Sequence, residues 1–144
     1  MMITLELLCV GRLKTTFWRD AADHYLKRNK AHYRLLQTEV KDGPGKLPPQ
    51  ERNRVEGEAI LAKLRPNSLP ICLDEGGKTF TSRGLAAYLE EKGLDRSRTP
   101  CFIIGGPFGL SPEVKKRAVL TMSLGPMTFP HEMARVILLE QLYR

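Results

Sequence analysis

A mostly parallel α/β sheet with helices on both of its faces is the fold class that this 144-residue sequence predicts. Three features carry that expectation. Five short runs are apolar almost throughout, as strands covered on both faces are, instead of alternating apolar with polar. Segments with helical spacing separate those runs, which is the order of βα units. Glycine and proline gather at the joints between them.

Ile3–Val10 (ITLELLCV) is the first strand, stopped by Gly11. Across 18–29, Trp18, Ala22, Tyr25 and Leu26 recur at one-turn and two-turn spacing and so share one face of a helix. Tyr33–Val40 is the second strand, and DGPGKLPP at 42–49 is a loop. A helix over 50–64 is ended by Pro66. The third strand is 68–74, and TSRGLAAYLEEKG after it is a helix with a terminal glycine. The fourth strand, 100–104, runs straight into GGPFGLSP. In PEVKKRA, a short helix, Ser111 is placed to cap the amino end and Pro112 to take the first helical position. VLTMSLG is the fifth strand, and 131–144 closes the chain as a helix with Met133, Val136, Ile137 and Leu139 or Glu140 across one face. No internal repeat interrupts this order, so one domain over 1–144 is expected.

A chain of this length buries roughly 70% of its unfolded surface and needs no disulfide or metal staple. Apolar residues at 42% and charged residues at 27% exclude wholesale disorder. No apolar run approaches the ~20 residues of a bilayer span. The opening MMITLELLCVGRLK has neither a basic leader nor a cleavage site, so a soluble, cytoplasmic protein is expected. Cys9, Cys72 and Cys101 each lie in an apolar run, without CxxC spacing or a nearby histidine. Buried reduced thiols are the reading, not a zinc site. The formal charge of +7 suits a polyanionic partner such as nucleic acid, or serves solubility alone.

In sheets of this kind ligands bind where loops leave the carboxyl ends of strands. IIGGPFG at 103–109 is such a loop, with glycines at 105, 106 and 109. It matches neither the dinucleotide nor the P-loop spacing, and is either a ligand-approaching backbone or a tight turn. SLGPMTFPH at 123–131 is the next. It is apolar and twice bent by proline, and would hold a flat aromatic ligand or simply cross over. His131 opens the last helix beside Glu132, with Arg135 one turn on; the histidine could accept a proton or cap the helix. Asp74 and Glu75 could orient a ligand or sit in a solvated turn with Gly76 and Gly77. No HExxH, histidine pair or carboxylate cluster supports a metal, and no GxSxG elbow is present.

Taken together these segments form a recognisable set: VGRLK at 10–14 and HYLKR at 24–28, then LDEGGKTFTS at 73–82, IGGPFGLSPEV at 104–114 and MSLGPMTFPHEMARVILLEQLYR at 122–144. In that order, along nearly the whole chain, they resemble the RlmH family (ribosomal RNA large subunit methyltransferase H). The family belongs to the SPOUT class of S-adenosylmethionine-dependent methyltransferases. The resemblance implies a fold with a C-terminal trefoil knot and a homodimer with cofactor sites near its interface. It implies methylation of N3 of a pseudouridine in helix 69 of 23S rRNA, on the assembled ribosome, without metal or membrane. Carried over by motif, the cofactor residues would be Leu73, Gly105, Gly106, Leu124, Gly125, Pro126, Met127, Thr128 and Phe129.

Within that reading His131 is the candidate for removing the imino proton, and Arg135 for contacting phosphate or stabilising developing negative charge. In the family the last helix is followed by a segment closing on a Tyr-His-Arg/Lys tail that helps form the substrate site, whereas this sequence stops at Arg144. The alternative expectation is therefore a ribosome-associated protein that binds the cofactor without turnover.

Overall fold

The computed structural model describes residues 2–144. Its elements run β1 (Ile3–Val10), α1 (Thr16–Asn29), β2 (Tyr33–Val40), α2 (Pro49–Lys63), β3 (Ser68–Thr79), α3 (Ser82–Gly93), β4 (Thr99–Ile104), α4 (Pro112–Arg117), β5 (Leu120–Ser123) and α5 (His131–Tyr143). The strands form one sheet in the order β2-β1-β4-β3-β5, every pair parallel. All five carboxyl ends therefore open on one rim.

The apolar runs of the inner strands are continuous because both faces of the sheet are covered there, whereas the edge strand β2 (YRLLQTEV) is half polar and half exposed. Leu5, Leu7 and Cys9 of β1 point into one core with Phe102 and Ile104, where α1, α3 and α5 supply Ala22, Leu85, Leu89, Leu138 and Leu139. Leu8 and Val10 point the other way, into a second core with Cys72, Cys101 and Ile103 under Ile60 of α2 and Val114 of α4. This is the expected sheet with helices on both faces. A buried Phe or Leu removes enough apolar surface from water to contribute ~1.5–3 kcal/mol, so the central strands β1 and β4 anchor both layers.

Ser111 and Pro112 act as read, and α3 and α2 begin in the same way without having been read so, Pro49 being expected in the loop. Ser111 Oγ accepts from the Val114 amide at 3.4 Å and Thr81 Oγ1 from the Gly84 amide at 2.9 Å, capping α4 and α3. Proline stands in the first turn of both α2 and α4, where no intrahelical donor is lost. α5 packs on α1: the Arg28 guanidinium lies 4.5 Å from the Tyr143 ring centre and donates to its hydroxyl at 2.8 Å. Buried Asn29 ties the same pair, donating from Nδ2 to the carbonyls of Tyr25 (2.9 Å) and Leu139 (3.0 Å).

Two elements depart from the sequence reading. β3 does not end at 74 but continues to Thr79, with residues 74–77 bulging out: Leu73 pairs with Met122 of β5, and Lys78 pairs with Met122 again. A period-two apolar pattern cannot reveal this, because the bulged residues are polar or glycine and the strand resumes for only two positions. The buried residues of α5 are Arg135, Val136, Leu138, Leu139 and Leu142, while Met133 and Ile137, expected on that face, are only half-buried. The shift admits Arg135 to the buried side, and of the alternatives Leu139 and Glu140 it is Leu139 that is buried.

Candidate functional site

Three loops leave the shared rim beside one another and enclose a cavity of about 740 Å³. Leu73, Asp74 and Glu75 line it from β3, Gly105, Gly106 and Phe108 from the loop after β4, and Leu124 through Phe129, except Pro126, from the loop after β5. His131 and Ala134 of α5 complete the wall. Every expected cofactor residue but Pro126 thus lies on one cavity, and His131 lies there with them.

The backbone of the two loops is held in shapes that glycine permits. A Cβ on Gly105 would lie 2.4 Å from the Gly109 carbonyl oxygen, so this turn closes only with hydrogen there. Gly125 has a φ of 143°, and Ser123 Oγ fixes it by donating to its carbonyl (2.6 Å) and accepting from its amide (3.0 Å). The bulge in β3 reaches across the cavity, where Glu75 accepts a hydrogen bond from the Thr128 hydroxyl. Asp74, beside it, pairs with Lys115 Nζ at 3.1 Å.

α2 forms the back of the glycine loop. Asn53 Nδ2 donates to the Phe108 carbonyl at 2.8 Å, and the Arg52 guanidinium lies 5.7 Å from the centre of the Phe108 ring. The buried Glu56 carboxylate accepts from the Gly43 amide (2.9 Å) and Arg52 Nε (3.2 Å), and a Cβ on Gly106 would lie 2.9 Å from its other oxygen. Sequence reasoning missed Arg52, Asn53 and Glu56. The glycine turn they back lies about fifty residues on, and no local period encodes such a contact.

Arg135 does not line this cavity. Its buried guanidinium donates to Glu39 at 2.6 Å and to the Gly11 carbonyl at 3.4 Å, in a second cavity one turn of α5 on from His131. Glu132 is also engaged, accepting from the Thr15 amide at 3.2 Å. The cysteines are buried and unbridged. Burial pushes the thiols of Cys9 and Cys101 up to about 12 and that of Cys72 up to about 11, so none supplies a thiolate near neutral pH. Among the described residues no three His, Cys, Asp or Glu side chains converge as metal ligands, and no helix is long and apolar enough to cross a membrane.

Comparison with known proteins gives this geometry a family. The model described as "Predicted SPOUT methyltransferase" matches residues 3–144. Ribosomal RNA large subunit methyltransferase H of Nitratidesulfovibrio vulgaris (strain DP4) is 52% identical over 143 residues, covering 99% of this chain and 92% of the relative. The chain belongs to the RlmH family of SPOUT methyltransferases. Other RlmH-family proteins align over similar lengths: that of Maridesulfovibrio salexigens is 50% identical, with 99% and 92% covered, and that of Lawsonia intracellularis 48% identical, with 98% and 90% covered. Among solved structures, the SpoU methyltransferase AviRb from Streptomyces viridochromogenes, in complex with the cofactor AdoMet, superposes with a TM-score of 0.49 at 15% identity, covering 100% of this chain and 58% of that one. As a SPOUT methyltransferase the RlmH-family chain is an enzyme that draws its methyl group from S-adenosylmethionine.

Proposed function

We propose that this protein is a cytoplasmic, homodimeric enzyme that methylates 23S rRNA at N3 of a pseudouridine in helix 69, acting on the assembled ribosome. One observation carries the reading: the two loops that hold the RlmH-like motifs meet at the sheet rim around a single cavity, with His131 on its wall. The names of the relatives supply the large-subunit rRNA substrate, and the positive balance of charge suits it.

The cavity fits the methyl donor. Its volume lies within the ~300–1,000 Å³ of small-molecule sites, and it combines apolar side chains with the exposed backbone of a glycine turn. Leu73, Gly105, Gly106 and the 124–129 loop would hold S-adenosylmethionine, whose sulfonium supplies an electrophilic methyl group when bound. The protein's own contribution is chiefly positioning, since displacement at a methyl carbon needs the nucleophile in line and close. His131 opens α5 at the cavity wall, where a neutral imidazole accepts the imino proton of the base. Arg135 is paired with Glu39 outside this cavity, so its part would be to contact a substrate phosphate.

A trefoil knot in the C-terminal segment belongs to the same proposal. β5 lies at one edge of the sheet, beyond β3, yet α5 returns to pack on α1. The 124–130 segment must therefore recross the rim beside the glycine loop, which is where a threaded chain would pass.

Mass spectrometry of helix 69 tests the function, using ribosomes from cells that lack this protein and then the same ribosomes incubated with it and S-adenosylmethionine. A new methyl group on the pseudouridine is expected. Cofactor binding by calorimetry without methylation would instead favour a binding protein without turnover.

A further inference from the structure

The rim carries a second cavity, of about 530 Å³, which α5 lines with Arg135, one turn on from His131 in the wall of the first. Its walls come from the segment after β1 (Arg12, Lys14), from α1 (Arg19, Asp23), from β2 (Glu39) and from α5 (Arg135). Four of these side chains are cationic. Glu39 is taken up by Arg135 at 2.6 Å, and Lys14 turns to Asp42 at 3.3 Å. Among the described residues neither Arg12 nor Arg19 has a carboxylate within salt-bridge distance, and Arg19 donates only to the Lys14 carbonyl at 3.4 Å. Arg135 is 4% exposed, and its buried Nε has no hydrogen-bond partner. The lining holds more cations than carboxylates, Asp23 and Glu39, and the group that suits such a cavity is an oxyanion.

The geometry points to this cavity as a phosphate site that takes a backbone phosphate of the RNA substrate. The assignment rests on the reading of the first cavity as the place of methyl transfer to an RNA base. A single turn of α5 separates the two: His131 and Ala134 face the first, and Arg135 lines the second. The first opens at the carboxyl ends of β3, β4 and β5 and the second beside those of β1 and β2, on the same rim of one parallel sheet, so one nucleic-acid strand can lay a base in one and a phosphate in the other. Arginine suits the task because its planar fork of donors matches phosphate oxygens. Such contacts orient a nucleic acid without reading its sequence, and here the orientation would present the target base to His131.

Two arms test the site with R12Q/R19Q, which leaves the Arg135–Glu39 pair in place, and with R96Q, a control at the exposed turn before β4. The first arm titrates inorganic phosphate and follows the fluorescence of Trp18, the chain's one tryptophan, which precedes Arg19 on α1. Quenching that saturates in wild type and R96Q and is lost in R12Q/R19Q is expected. The second arm measures KM for unmethylated ribosomes against salt. R12Q/R19Q should raise KM roughly 10-fold and lower the slope of log affinity against log salt by about 1 to 2, with the affinity for S-adenosylmethionine retained. Equal losses in R96Q would reduce the effect to bulk charge and overturn the site. Phosphate binding with an unchanged ribosome KM would make it a free-anion site and overturn the RNA source. No effect in either arm overturns both. If wild type fails to methylate ribosomes while R12Q/R19Q still loses phosphate binding, the proposed function falls and the phosphate site stands.

Discussion

His131 carries the chemistry of the proposed reaction, and Gly125 shapes the loop beside it. If the His131 imidazole receives the imino proton, H131A should lower kcat by about 100-fold or more, with S-adenosylmethionine affinity retained. Single-turnover methylation of ribosomes across a pH series reads this, and full activity with an unchanged pH profile would remove the histidine from the chemistry. Gly125 sits at a φ of 143°, where a side chain is strained whatever the space around it. G125A should therefore cost about 1–3 kcal/mol, read from the denaturant midpoint, and should loosen the loop that carries Met127 and Thr128. Both residues stood out in the sequence because glycine, proline and histidine are marked letters in an apolar loop. Arg135 stood out too, but its partner did not. Glu39 is ninety-six positions away, and only the fold brings the two to 2.6 Å.

Among the elements, α2 has the least obvious role. Its pattern says only that a helix covers the sheet, yet Asn53 holds the turn of 105–109 from behind, and Glu56 leaves no room for a side chain at Gly106. Loss of one hydrogen bond of this kind costs ~0.5–1.5 kcal/mol, so N53A should weaken S-adenosylmethionine binding by roughly 2- to 10-fold. Calorimetric titration beside a melting curve checks it. A fall in Tm with unchanged cofactor affinity would make Asn53 a stability residue only. The strands and helices themselves were legible because a doubly covered sheet writes apolar runs and its helices write a 3.6-residue period. What the bulge at 74–77 does was not legible. Its polar residues read as the end of a strand, whereas in the folded chain they bring Glu75 to Thr128 across the cavity.

At the scale of the whole molecule the two cores share one chemical signature, since all three thiols are buried in them. Unfolded, these thiols ionise near 9; folded, Cys9 and Cys101 hold their protons to about 12 and Cys72 to about 11. The folded state thus binds more protons through that window. The contribution is fully present below pH 9 and is lost as pH rises toward 12. Tyr33 and Tyr88, also raised by burial, act in the same sense. Urea midpoints should fall steadily above about pH 9, and a midpoint that stayed flat would contradict the burial of the thiols. The strand order has a different consequence, in time and not in space. β4 is the neighbour of both β1 and β3, but it comes after both in the chain. While the protein is being synthesised, β1 can pair only with β2, and β3 must wait unpaired for two strands not yet made. Such an exposed, apolar strand is a site of aggregation or chaperone capture. A fragment ending before Thr99 should remain protease-sensitive, with resistance appearing only once β4 and β5 have left the translating ribosome.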